Sequence, residues 1–127
     1  YWGVALRILE KDLVKHQPDG IWAYNSKFDH RAFVNTCEKL NSKINPMADG
    51  IADIMEVIGG ITETEDYQEF CRKNGFLTKH KKPRPQRKAE TLYRYLNNQT
   101  DYIEEHTALA DSRIELEILL VALGLIA

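Results

Sequence analysis

Paired cysteines are missing from this chain. Its 127 residues include two cysteines, Cys37 and Cys71. Neither sits in a Cys-x-x-Cys pair or near a histidine at zinc spacing, which excludes a thiol-redox motif and a sequence-legible zinc site. Both read as reduced thiols of a reducing compartment, so a cytoplasmic location is expected. Long apolar runs are missing too. The best candidate, Ile118–Ala127, is about half the length a bilayer span requires and follows charged residues. No signal peptide, internal repeat or low-complexity tract is visible. An excess of one charge is also absent. Seventeen Lys and Arg against 19 Asp and Glu leave a formal net charge of −2. Overall charge therefore does not announce nucleic-acid binding, and any such binding must come from local patches. There is no initiator Met, and the chain opens inside a helical pattern, so we expect a piece of something longer on its N-terminal side.

What is present fits one domain with an ordinary core, taken as residues 1–127. Val4, Ala5, Ile8, Leu9 and Leu13 recur at helical spacing, and Pro18-Asp-Gly20 ends that helix. Ile21-Trp22-Ala23-Tyr24 is short, apolar and aromatic, as in a buried strand. Ser26-x-x-Asp29 resembles a capping box ahead of Phe33, Val34, Cys37 and Leu40. Helix, strand, helix is an α/β pattern. Asn45-Pro46 breaks the second helix. Gly50–Ile58 reads as a strand feeding a helix, with Gly59-Gly60 ending it. Thr62–Asn74 reads as a helix capped by Gly75. A basic, Pro-containing loop follows from Lys79 to Lys88. Ala89, Leu92, Tyr93 and Leu96 form a helical stripe, and Asn97-Asn98-Gln99-Thr100 a turn. From Thr107 to Leu125 the pattern is helical, with Ile114, Ile118, Val121 and Leu125 on one side.

Three places can carry chemistry. Asp29 follows an inferred strand, where α/β folds place their sites, yet an Asp there also complements a helix dipole. His106 precedes the last helix and Asp111 falls near its first turn. A neutral imidazole can take a proton from water at neutral pH, yet taken alone an exposed loop histidine and a dipole-complementing Asp are the more ordinary reading. Glu104 and Glu105 read as solvated charges. The basic loop, with Lys79, Lys81, Lys82, Arg84, Arg87 and Lys88, can hold phosphates by counterion release, or be a solvated tip. Trp22, Tyr24 and Tyr93 can stack on bases but read better as core. His80 sits inside the basic run and is not expected to be a ligand, and His16 and His30 have no evident partners.

Two carboxylates and a histidine suit the metal and base roles of phosphodiester hydrolysis. Asn25-x-x-Phe28-Asp29, followed much later by His106-x-Ala108-x-x-Asp111, resembles the second and third motifs of the DEDDh 3′–5′ exonucleases. Those are proofreading exonucleases and related RNA-trimming enzymes on a ribonuclease H-like fold. Arg87–Leu96 is similar to the phage-type members, and the likeness covers essentially the whole chain. It implies Asp29 as the second-motif carboxylate, Asp111 as a direct metal ligand and His106 as general base. It also implies two divalent ions, Mg²⁺ or Mn²⁺, and a nucleic-acid 3′ end as substrate, as single-stranded DNA or RNA. Asn25, Phe28, Lys81, Lys82 and Arg84 would bind the strand. The family's first motif, Asp-x-Glu, is missing: none of the eight Asp residues has Glu two positions later. In the family that motif precedes the helix holding Val4–Leu13, so truncation is the expectation. What remains would be a C-terminal portion lacking the first strands, helix-rich and inactive alone. Uncovered sheet edges and helix faces would favour self-association. A polymerase or replication partner is compatible, and no membrane is implied. The alternative is a non-catalytic nucleic-acid or protein-binding module, and a third reading is a helical interaction domain with chance motifs.

Overall fold

A computed structural model describes residues 1–43, 45, 47 and 49–127. The elements run α1 (Trp2–His16), β1 (Trp22–Ala23), α2 (Ser26–Lys39), β2 (Ala52–Asp53), a 3₁₀ turn (Ile54–Glu56), α3 (Gly59–Thr62), α4 (Glu65–Asn74), α5 (Ala89–Asn97) and α6 (Ala108–Ala122). The chain is mixed α/β, rich in helix, with a small parallel sheet. It divides into two compact units, Tyr1–Asp53 and Ile54–Ala127.

In the first unit, β1 and β2 pair in parallel, with Trp22 opposite Ala52 and Ala23 opposite Asp53. Parallel strands need a crossover, and α2 supplies it. The Ala52 amide donates to the Ile21 carbonyl at 2.8 Å. The strand is shorter than Ile21–Tyr24, and it is not buried throughout. Successive side chains of a strand face opposite ways, and Trp22 lies on the open side, 39 % exposed, with Ala23 half-buried. Helix α1 ends where Gln17 turns left-handed (φ 42°) and its amide bonds the Leu13 carbonyl. Its inward stripe differs from the sequence expectation. Leu6 is buried, Leu9 and Leu13 are half-buried, and the Trp2 ring lies 5.4 Å from that of Phe33. Val4 and Ile8 are more than half exposed. Periodicity shows that a helix has an apolar side. It does not say which of two overlapping stripes, 2/6/9/13 or 4/5/8, finds a partner.

The capping box at Ser26 and Asp29 does not form. Asn25 is the N-cap, left-handed at φ 60°, with no side-chain cap bond, and Ser26 is already helical and buried. The tight strand-to-helix turn demands a positive φ, which Asn tolerates better than most residues. Helix α2 ends at Lys39, before Asn45-Pro46; Pro46 lies outside the described residues.

The second unit holds a dense core. Ile54, Ile58, Tyr67, Cys71, Leu92, Ile114, Ile118 and Leu119 are all buried. Helix α5 packs on α6, as do α3 and the 3₁₀ turn. Gly59-Gly60 opens α3 instead of ending a helix. Ile54 and Ile58, four residues apart and buried, hold this stretch down, which outweighs the low helix propensity of two glycines. The helix expected over Thr62–Asn74 splits. Thr64 caps α4, its hydroxyl accepting from the Tyr67 amide at 3.3 Å. Gly75 ends α4 at φ 74°, a conformation that favours glycine. Helices α5 and α6 fall where the apolar stripes put them, but Leu125 lies beyond α6 and is mostly exposed. Among the described residues, no helix is long and apolar enough to cross a membrane.

Candidate metal and general-base residues

The predicted residues fall in different units. Asn25, Phe28 and Asp29 belong to the first; His106, Asp111 and the basic segment belong to the second. In the first, the turn from β1 into α2 sets the geometry. The Asn25 amide donates to Asp53 Oδ1 at 3.0 Å, tying the helix start to the end of β2. Phe28 is 62 % exposed and Asp29 is exposed in the first turn of α2. Asp29 is thus an accessible carboxylate at a helix N-terminus, where the dipole favours negative charge.

In the second unit, Thr107 is the N-cap of α6, its hydroxyl accepting from the Ala110 amide at 3.2 Å. That cap sets Asp111 in the first turn, with its amide bonded to the Thr107 carbonyl at 2.9 Å. Asp111 Oδ1 is buried and has no hydrogen-bond partner among the described residues. His106, immediately before the cap, is left-handed at φ 54°, and its side chain is 78 % exposed.

Glu104 is the residue that sequence reasoning missed. The sequence reads it as a solvated charge, but its side chain is only 18 % exposed. Its amide donates to Glu90 Oε1 at 3.1 Å, and the same oxygen accepts from Arg94 Nη2 at 3.0 Å. Arg94 Nε in turn donates to the Tyr102 carbonyl at 2.7 Å, and its guanidinium lies 4.8 Å from the centre of the Phe76 ring. The Tyr93 and Tyr102 rings sit 4.6 Å apart. The segment leading to His106 is therefore fastened to α5 from Tyr102 to Glu104. Glu104 Oε2 lies 3.6 Å from His106 Nδ1, within ion-pair reach when the imidazole is protonated. Burial pushes the Glu104 carboxyl above its ordinary value, and the charge of Asp111 adds to this while His106 opposes it. Nothing in Glu104-Glu105 separates the two residues. The available signal was the Glu90…Arg94 pair at i,i+4 on the preceding helix, an anchor for whatever follows it.

Lys81, Lys82 and Arg84 sit on a built turn. Leu77 and Pro85 form an antiparallel bridge. The Thr78 amide donates to the Arg84 carbonyl at 2.8 Å, and the Arg84 amide to Thr78 Oγ1 at 3.1 Å. Trp22 is partly exposed, whereas Tyr93 is half-buried against Tyr102.

Carboxylates such as those of Asp29 and Asp111 are hard oxygen donors of the kind that Mg²⁺ or Mn²⁺ takes. Two carboxylates are fewer than a two-ion site uses. Among the described residues, no group of three or more His, Cys, Asp or Glu side chains is arranged to hold a metal. Comparison with protein-family models, with curated proteins and with solved structures returns no match.

Proposed function

We propose that this chain is part of a metal-dependent 3′–5′ exonuclease of the ribonuclease H-like class, a hydrolase acting at the 3′ end of DNA or RNA. The observation that supports it most is the start of α6. A buried Asp111 oxygen without a donor sits one turn from an exposed, left-handed His106 on an anchored segment. A buried carboxylate oxygen with no partner is costly, and a cation is one group that would offset the cost.

In this reading Asp111 contributes a carboxylate to divalent ions, and Asp29 keeps the metal role that the motif resemblance implies. When bound, those ions lower the pKa of water and stabilise the leaving 3′ oxygen. His106, open to solvent, accepts the proton from the attacking water. Thr107 caps the helix that follows His106, and Glu104 Oε2 lies 3.6 Å from His106 Nδ1. Asn25, Phe28, Lys81, Lys82 and Arg84 bind the strand, and a polymerase or a second copy of the chain is a compatible partner. The basic turn supports a second reading, a nucleic-acid-binding module without turnover, because it stands without the carboxylates.

The test uses 5′-labelled single strands with Mn²⁺ and two proteins: this chain, and a protein in which an Asp-x-Glu strand accompanies it. Stepwise shortening by the second, and none by the first, is expected. In the active protein His106→Ala should keep metal binding and lose turnover roughly 10²–10⁴-fold. Asp111→Asn should lose metal affinity. Turnover near wild type in His106→Ala would end the base assignment. Activity of this chain alone that vanishes in Asp111→Ala would show the ligand count to be wrong.

A further inference from the structure

We propose that the hairpin spanning Phe76–Gln86 is a clamp for the phosphate backbone of a nucleic-acid duplex. The choice of a nucleic acid as the polyanion rests on the nuclease reading; the rest stands on the hairpin. Eight of the chain's 17 Lys and Arg lie between Arg72 and Lys88, a stretch with no Asp or Glu. The remainder carries nine cations against 19 carboxylates. The net charge of −2 therefore conceals one concentrated positive segment in an otherwise acidic chain.

Like charges brought together repel, and a loose loop would spread them apart. This segment is held instead. Besides the Leu77–Pro85 bridge and the Thr78–Arg84 bonds, the Gln86 amide donates to the Phe76 carbonyl at 3.0 Å and Gln86 Nε2 to the Leu77 carbonyl at 3.1 Å. The base of the hairpin is fastened to two helices. The buried Tyr67 hydroxyl of α4 donates to the Gln86 carbonyl at 2.7 Å, and Thr91 Oγ1 of α5 to Gln86 Oε1 at 2.9 Å. Lys79, Lys81, Lys82 and Arg84 are exposed, and none is paired with a carboxylate among the described residues. His80, Lys81, Lys82, Arg84 and Arg87 line one open concavity with Thr78. A concave cluster of cations on a fastened hairpin suits a polyanionic ligand.

What those cations lack beside them is an aromatic face. Surfaces that bind single strands without sequence preference combine cations with rings on which bases stack. No aromatic residue of the Phe, Tyr or Trp type lies between Leu77 and Lys88. The nearby rings of Tyr67, Phe70, Phe76 and Tyr95 pack on one another, and Arg94 covers Phe76. The hairpin thus offers contacts to phosphate and none to bases, which positions a nucleic acid without reading it. A duplex presents one charge per roughly 1.7 Å of axis, twice the density of either strand, and hides its bases. The hairpin thus favours a 3′ end with duplex behind it over a free single strand.

Fluorescence anisotropy on the whole 127-residue chain tests this, using a short labelled duplex, each of its strands, a salt series and polyglutamate as competitor. The duplex should bind roughly ten-fold more tightly than either strand at equal salt. Replacing Lys81, Lys82 and Arg84 together by Ala should remove that preference and flatten the salt slope by about 0.9 for each phosphate no longer neutralised. The set Lys81→Arg, Lys82→Arg and Arg84→Lys should retain both. Circular dichroism should show both variants folded, since all three side chains are exposed. Equal or tighter binding of a single strand would overturn the duplex clamp. So would an unchanged salt slope in the alanine variant, or displacement of the duplex by polyglutamate at matched charge, which would mark a surface for acidic protein. Duplex binding that persists where the protein carrying the Asp-x-Glu strand shows no nuclease activity would overturn the exonuclease reading and leave the clamp standing.

Discussion

Among the described residues, the unit Ile54–Ala127 buries eight hydrophobic side chains, while the unit Tyr1–Asp53 buries two, Leu6 and Cys37. The second unit also satisfies its buried hydroxyls: Thr62 donates to the Ile58 carbonyl and Thr91 to Gln86. Two of its four α-helices, α4 and α6, begin with a threonine whose side chain closes the first turn, while α3 and α5 have no side-chain cap bond. In the first unit neither α1 nor α2 has a side-chain cap bond, while large apolar side chains are exposed in both units, Val4, Ile8 and Phe28 in the first and Ile103, Leu109 and Leu116 in the second. One unit is held by packing, the other chiefly by backbone hydrogen bonds and local sequence. Packing is what normally stabilises short helices in water. Resistance to unfolding should therefore be concentrated after Asp53, in the unit that carries His106, Asp111 and the basic hairpin.

The largest effect should come from cutting into the denser core. Ile118→Ala removes a fully buried side chain and should cost about 2–5 kcal/mol, read from denaturant unfolding. Ile8→Ala, on the exposed side of α1, should stay within about 0.5 kcal/mol. Similar losses in the two variants would break the contrast between the units.

Capping should sharpen it at a smaller scale. Thr107→Ala should cost about 1 kcal/mol and speed amide exchange at Ala110, whose proton loses its acceptor. Asn25→Gly should change stability by only a few tenths of a kcal/mol, because there is no side-chain cap bond to remove and glycine accepts φ 60° freely. A cost at Asn25 matching that at Thr107 would show a side-chain role there that the geometry does not contain.

The smallest effect concerns pH. Burial raises the Cys71 thiol above its ordinary value, outweighing the Tyr67 and Gln86 hydrogen bonds that lower it. The folded thiol therefore holds its proton more tightly than the unfolded one. Its contribution to stability is complete below the ordinary thiol value and is lost as pH rises through the raised one. The alkaline limb of a stability–pH profile should flatten in Cys71→Ala. In the native protein, iodoacetamide should reach Cys71 only as fast as the second unit opens. An unchanged limb would mean that burial does not hold the thiol neutral.

Helices α5 and α6 were legible because their apolar stripes are long and point the same way as their packing. Gly75 was legible because a positive φ at a helix end has few other tenants. Asp111 was legible in the first turn of α6 because the helical pattern opens at Thr107, a residue type that caps. The misses share a cause. The stripe of α1, the outward Trp22, the glycine-initiated α3 and the Ser26 cap each turn on which neighbour occupies a given side. Local sequence does not carry that information.

The basic run, the His106–Asp111 spacing and the absence of Asp-x-Glu are properties of residue order alone, since charge and spacing need no partner. That Glu104 is half-buried beside His106 while Glu105 is exposed was decided only by folding. So were the hairpin that gathers Lys81, Lys82 and Arg84, and the Asp111 oxygen left without a donor. Each depends on groups many residues away, on Glu90, Gln86 and the turn of α6, and a distance between distant residues exists only once the chain has closed on itself.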